Sequence, residues 1–182
     1  MKKFFALIIF CVTFFVAQVS FAEGVFFGYQ AHIQNYGWRP PISNGEIAGA
    51  IGEGLRMEAI RIYMTDGARN MIQYCAHVEN YGWLDWQYSG GIAGTVGRNL
   101  RLEAVRIRLL PRYASRYDIY YHVYVADHGW LGWACNGEPA GTVGEGLRTE
   151  AIQISVVPRG SYFDRGGRAF YERRDPQNRF YI

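Results

Sequence analysis

Lysine is nearly absent from this chain. Of 19 basic residues only Lys2 and Lys3 are lysines and the rest are arginines, set against 16 acidic residues. Beyond residue 22 the charge is therefore close to neutral, which argues against a dedicated binder of nucleic acid or other polyanions. Cysteine is scarce as well: besides Cys11 there are only Cys75 and Cys135. No C-x-x-C, H-E-x-x-H or G-x-S-x-G motif occurs, and no glycine loop with a lysine cradles phosphate. These absences remove the usual sequence signatures of zinc sites, acyl-transfer enzymes and nucleotide hydrolases. No stretch past residue 22 sustains a helical period, and no second long apolar run follows the first.

What is present begins with Met1 to Ala22, which reads as a secretory signal: Lys2 and Lys3, an apolar run from Phe4 to Val16, and Ser20-Phe21-Ala22 as a small-x-small cleavage site. The expectation is an exported chain, periplasmic or extracellular, with no transmembrane span after cleavage. An oxidising compartment would permit a disulfide between Cys75 and Cys135.

The rest is dominated by one block written three times, about residues 25–68, 69–115 and 116–157, within a domain from 23 to 157. Its Gly-Trp pair recurs at Gly37, Gly82 and Gly129, and the blocks align without a gap from Tyr29, Tyr74 and Tyr121 to Ile62, Ile107 and Ile154. Such periodicity signals a repeat architecture. Each block opens with alternating residues such as Tyr74, Ala76 and Val78 and closes with a β-branched stretch such as Val105 to Leu109, so both ends read as strands. The glycine-dense middle suits turns and short strands. An all-β, closed, pseudo-threefold domain is expected, a β-trefoil first and a β-prism as the alternative. Thr65-Asp66-Gly67-Ala68 is a turn signal that predicts a hairpin between the last strand of block one and the first of block two. Residues 158–182 leave the repeat and carry six arginines against three acids. They read as a mobile tail, although its aromatic residues suit partial docking.

Comparison among the copies separates scaffold from candidate site. Trp38, Trp83 and Trp130 stand in every copy and read first as packing residues, since one residue in three symmetric places usually serves packing. Trp is also the common stacking surface for sugar rings, so Trp83 and Trp130 stay among the binding candidates. Trp86 and Trp133 are matched by Pro41 in block one, which places them on a variable loop, with Asp85, Asn136 and Glu138 nearby to hydrogen-bond hydroxyls. Arg56/Glu58, Arg101/Glu103 and Arg148/Glu150 are two apart, share one face of a strand and read as structural charge bridges. His32 and His77 are matched by Tyr124, which speaks against a metal ligand.

The ordered set Y-x-x-H-V-x-x-x-G-W, A-G-T-x-G and L-R-x-E-A-I-x-I, over residues 29–154, resembles the clostridial hydrophobic repeat with its characteristic Trp, the ChW repeat. Departures are Tyr124 for His, Ala50 for Thr and Pro41 for the second Trp. The resemblance implies an extracellular or surface-associated module for adhesion, protein interaction or polysaccharide binding, without catalysis. Together these readings give an exported binding module with no enzymatic activity, cofactor or metal, recognising a glycan or surface polymer through loop tryptophans. The alternative is a protein-interaction or adhesion module for another extracytoplasmic protein, acting partly through the basic aromatic tail.

Overall fold

The computed structural model describes residues 26–65 and 71–173. Residues 1–25, with the segment expected to be a secretory signal, residues 66–70, with most of the expected turn after Thr65, and residues 174–182 lie outside them. Each block folds into five strands. The first holds β1 (Phe26–Ile33), β2 (Gly37–Trp38), β3 (Ile42–Ser43), β4 (Ile47–Gly49) and β5 (Met57–Thr65). The second holds β6 (Ile72–Val78), β7 (Gly82–Trp83), β8 (Gln87–Tyr88), β9 (Ala93–Gly94) and β10 (Leu102–Leu109). After the short helix α1 (Pro111–Ala114), the third holds β11 (Tyr117–Val125), β12 (Gly129–Trp130), β13 (Ala134–Cys135), β14 (Pro139–Val143) and β15 (Thr149–Pro158), and β16 (Phe170–Glu172) follows.

The all-β class holds, and the connectivity explains the repeat. In each block the first and last strands pair antiparallel: β1 with β5, β6 with β10, β11 with β15. The fourth strand leaves its own block and pairs with the last strand of the preceding one, β9 with β5, β14 with β10 and, closing the ring, β4 with β15. The result is three separate sheets, none of which closes on itself. A trefoil would join the six long strands in one barrel, with the middle segments as a cap; here the middle segments are sheet members.

The hairpin expected between blocks one and two is corrected by the same pattern. One edge of β5 is taken by β1 and the other by β9, which leaves no ladder for β6. The turn signal was local, whereas the pairing is decided by the apolar faces that the first and last strands of one block share.

Alternation puts Tyr29, Ala31 and Ile33 of β1 with Ile60, Ile62 and Met64 of β5 into a core to which all three blocks contribute equivalent residues. At its joints sit three tyrosines. The Tyr29 hydroxyl donates to the Glu46 carbonyl and accepts the Ile154 amide, so block one is tied to block three. Tyr74 accepts the Ile62 amide and donates to the Gly91 carbonyl, tying block two to block one. Tyr121 donates to the Glu138 carbonyl and meets the backbone of Ile107, tying block three to block two.

The Ala-Gly pair has an equally definite role. Gly49, Gly94 and Gly141 have φ of 154°, 121° and 127°, and each faces the last strand of the neighbouring block. A Cβ there would lie 2.5, 2.6 and 2.6 Å from the Cα of Ala151, Ala59 and Ala104. Only glycine lets the strands approach that closely.

Candidate functional site

Each long antiparallel pair carries a bulge in its last strand: His32 faces Ala59 while Ile33 faces Met57, so Glu58 is the extra residue. Glu103 and Glu150 are the extra residues in the other two. The bulge turns these glutamates inward, where they are buried. Arg56, Arg101 and Arg148 meet them at 2.8, 2.9 and 2.7 Å, and His32 and His77 lie 3.1 and 3.0 Å from the second oxygen of Glu58 and Glu103. In the third block Tyr124 replaces the histidine, and the second oxygen of Glu150 accepts the Gly52 amide instead. The three arginines line a shared cleft of about 290 Å³ together with Glu79. Each guanidinium is committed to a carboxylate of its own block, and the blocks meet here through Arg56 donating to Asn99 and the Gly52 amide donating to Glu150.

Burial opposes ionisation of Glu103, yet His77 and Arg101 outweigh it and hold its carboxyl below the usual range. A group whose folded pKa is depressed contributes stability above its unfolded pKa and loses it as pH falls through the folded value. Glu103→Gln is therefore expected to flatten the loss of stability between neutral pH and acid. Glu103→Ala is expected to cost about 3 kcal/mol at neutral pH, because Arg101 and His77 lose their buried partner. Urea denaturation at several pH values measures both.

The Gly-Trp tryptophans are not in the core. Trp38, Trp83 and Trp130 are half-buried on the outer side of their sheets. In blocks one and two the ring stands edge-on to His32 or His77, and an arginine, Arg61 or Arg106, covers it at 4.7 or 4.4 Å. Trp86 is likewise half-buried, with Arg108 4.3 Å from its ring centre. Asp85 is exposed beside it, and neither lines the arginine cleft or the cleft of the third block described below.

The third block differs. Gln153 stands where Arg61 and Arg106 do, and opposite it across the ladder is His122. The imidazole is held by the Leu131 carbonyl at 3.1 Å and Gln153 at 2.9 Å, and it stacks on Trp130 at 4.2 Å and on Trp133 at 3.7 Å. Burial lowers its pKa against those two hydrogen bonds, which favours the neutral ring. Sequence reading set Trp133 apart but missed His122, although His122 against Gln30 and Cys75 was already a visible departure.

Residues 158–173 complete this site, which corrects the expectation of a mobile tail over that stretch. The amides of Gly132 and Trp133 donate to the carbonyls of Arg168 and Arg165, Phe163 stacks on Tyr120 at 4.0 Å, and β16 lies parallel to β14. The resulting cleft, about 430 Å³, is lined by Trp130, Trp133, His128, Asp164, Arg168 and Tyr171, among others. Gly132 makes the docking feasible, since a Cβ there would fall on the Gly167 carbonyl; Pro40 and Asp85 hold this position in the other blocks. Gly132→Ala is expected to release residues 160–173 while leaving the repeats folded, an overpacking cost of about 1–3 kcal/mol borne by the tail alone. Tryptic cleavage after Arg165 or Arg168 should then be faster in the variant than in the wild type, with an unchanged far-ultraviolet spectrum.

Two further candidates are internal fastenings. Asn136 accepts the Ile119 amide at 3.0 Å and donates to Asp118 at 2.8 Å. Glu138 accepts the Cys135 amide and pairs with Arg165, anchoring the tail. The two thiols are free: Cys75 lies buried in β6, Cys135 in β13 of another sheet. Burial pushes the Cys75 thiol up to about 11, so it is unreactive at neutral pH. Among the described residues no cluster of His, Cys, Asp and Glu is arranged to hold a metal ion, and no helix is long and apolar enough to cross a membrane.

A family model described as Clostridial hydrophobic W matches the chain three times, over residues 32–66, 77–111 and 124–158. No curated protein and no solved structure matches it.

Proposed function

The chain belongs to the Clostridial hydrophobic W family, and from that premise we propose that it is an exported, non-catalytic binding module whose third repeat takes a short stretch of glycan. The observation that carries this reading is the cleft at Trp130 and Trp133, where aromatic rings lie beside the polar groups of Asp164, Arg168 and His128. Glycan sites combine these two elements: flat apolar rings for the sugar faces and fixed charged groups for the hydroxyls. The other two repeats present Trp38, Trp83 and Trp86 beneath guanidinium groups and serve the scaffold. Within this reading the three open sheets, each completed by a neighbour's strand, favour the prism arrangement over the trefoil.

The interaction reading that relied on a free basic tail has less support, because Arg165, Phe163 and Tyr171 are engaged with the third repeat. Deleting the tail would also dismantle the cleft, so point variants are the better test. On a glycan array followed by titration of the best ligand, Tyr171→Ala and Arg168→Gln are expected to weaken binding at least about tenfold, the worth of one good contact. Trp86→Ala should leave it unchanged. Equal binding by all three variants, or no ligand on the array, would remove the cleft as a glycan site.

A further inference from the structure

The three fourth strands are equivalent, but their outer edges are not equally covered. β14 is covered by β16 in parallel register, with Gly141 opposite Phe170, Thr142 opposite Tyr171 and Val143 opposite Glu172. The Gly141 amide donates to the Ala169 carbonyl and the Arg173 amide to the Val143 carbonyl, each at 2.9 Å. Tyr171 also stacks on His128 at 5.4 Å. In contrast, β4 and β9 end their sheets, with no strand beyond them among the described residues.

The residues flanking those open edges are apolar and exposed. Ile47 opens β4 and Ile51 follows it, Ile92 and Val96 flank β9, and Tyr36 and Tyr81 stand where His128 receives Tyr171; all six are between 39% and 52% exposed. Val143, the counterpart of Ile51 and Val96 under β16, is only half-exposed. An exposed apolar edge with unused backbone groups is a template for an added strand, and the third repeat shows the kind of segment that fits.

The chain contains that kind of segment a second time. Phe170-Tyr171 is followed by Phe180-Tyr181-Ile182 at the C-terminus. In the register of β16, Phe180 falls opposite Gly49 or Gly94, Tyr181 beside Tyr36 or Tyr81, and Ile182 opposite Ile51 or Val96. Ile182 thus meets an apolar residue where β16 places Glu172. The described residues leave two edges open and the sequence holds one such segment, so at least one edge is left for another molecule even if the segment of the same chain fills the other. The two open edges differ in their charged neighbours: Tyr36 donates to Glu53 beside the first, and Arg98 donates to Tyr81 beside the second.

We propose that the open edges of β4 and β9 bind the Arg179–Ile182 segment of a second copy of this chain as an added parallel strand. The site is separate from the Trp130 and Trp133 cleft and does not depend on the glycan reading.

Sedimentation velocity of the full chain and of the chain ending at Arg173 tests it. The full chain is expected to self-associate with rising concentration and the shortened chain to remain monomeric. A synthetic peptide of residues 174–182 should compete for the association and shift the amide resonances of residues 49–51 and 94–96 in the shortened chain. Ile51→Lys combined with Val96→Lys should abolish both effects, because these exposed positions tolerate charge without loss of fold. Equal association by the shortened chain, or a peptide that shifts no edge resonance, would overturn the proposal. Edge shifts in a full chain that stays monomeric would assign the segment to its own molecule and overturn the second copy as occupant.

Discussion

Gly94→Ala is expected to destabilise the domain severely. The added Cβ would lie 2.6 Å from the Cα of Ala59 and collide with the Glu58 carbonyl, both backbone, in a residue held at φ 121°. Backbone cannot rotate away as a side chain can, so relief requires β9 to separate from β5. That separation also breaks the bond from the Thr95 amide to the Glu58 carbonyl. The cost is on the order of 4 kcal/mol or more, a large part of the roughly 5–15 kcal/mol by which folded domains are stable. Gly167→Ala is the matched control, since its backbone is ordinary and nothing lies within 4 Å of the new methyl. Circular dichroism with urea titration should show the control within about 0.5 kcal/mol of wild type, as for surface changes generally. A Gly94→Ala protein as stable as the control would mean that β9 does not dock on β5.

The second large effect is alkaline unfolding. Tyr29, Tyr74 and Tyr121 are fully buried at the three joints between repeats. Burial raises all three hydroxyl pKa values above the ordinary 10.0, against the opposing pull of backbone hydrogen bonds, and Tyr74 is pushed up to about 12. A raised folded pKa means that the contribution is complete below the unfolded value and is lost as pH rises toward the folded one. Stability should therefore be flat up to about pH 9 and fall steeply from pH 10 to pH 12, by about 2–3 kcal/mol for Tyr74 alone. The three sites should ionise together with loss of structure, visible as a cooperative rise in tyrosinate absorbance at the unfolding pH. Tyr74→Phe should reduce the steepness of that transition while costing stability at pH 7, because the Ile62 amide loses its acceptor. Gradual, independent titration of the tyrosines in a folded protein would contradict these joints.

Much of the scaffold was legible from repetition alone. Tyr29 and the Ala-Gly pair recur because each joint between repeats needs the same hydroxyl and the same absent Cβ, and the Arg-x-Glu pair recurs because each repeat buries the same bulged carboxylate. What repetition did not disclose is the direction of pairing. A two-residue strand such as Ala93-Gly94 carries no periodicity, so its membership in the neighbouring sheet, and with it the choice of three sheets over one barrel, was invisible. The Thr65-Asp66-Gly67-Ala68 turn signal was similarly local and could not report that both edges of β5 are engaged.

The site was half legible. Variation among copies pointed to the loop of Trp133, but it gave Trp86 the same standing, and only the third repeat has Gly132 and a tail to build a cleft over it. Asn136 and Glu138 look like ligand groups in sequence because they are polar and near a tryptophan. In the fold they satisfy Asp118, Ile119, Cys135 and Arg165. A polar residue's sequence neighbours do not reveal which backbone group it must serve.

The exchange of fourth strands gives the molecule no first or last repeat. Tyr29 meets Ile154 across 125 residues of chain, so the earliest repeat to leave the ribosome is also among the last to be completed. A linear array can fray from its ends and add or lose units with modest penalty. This ring cannot, since removing any one repeat orphans a strand in each of its two neighbours. Copy number is therefore fixed by geometry at three, and change in this protein is confined to what the three copies display outward.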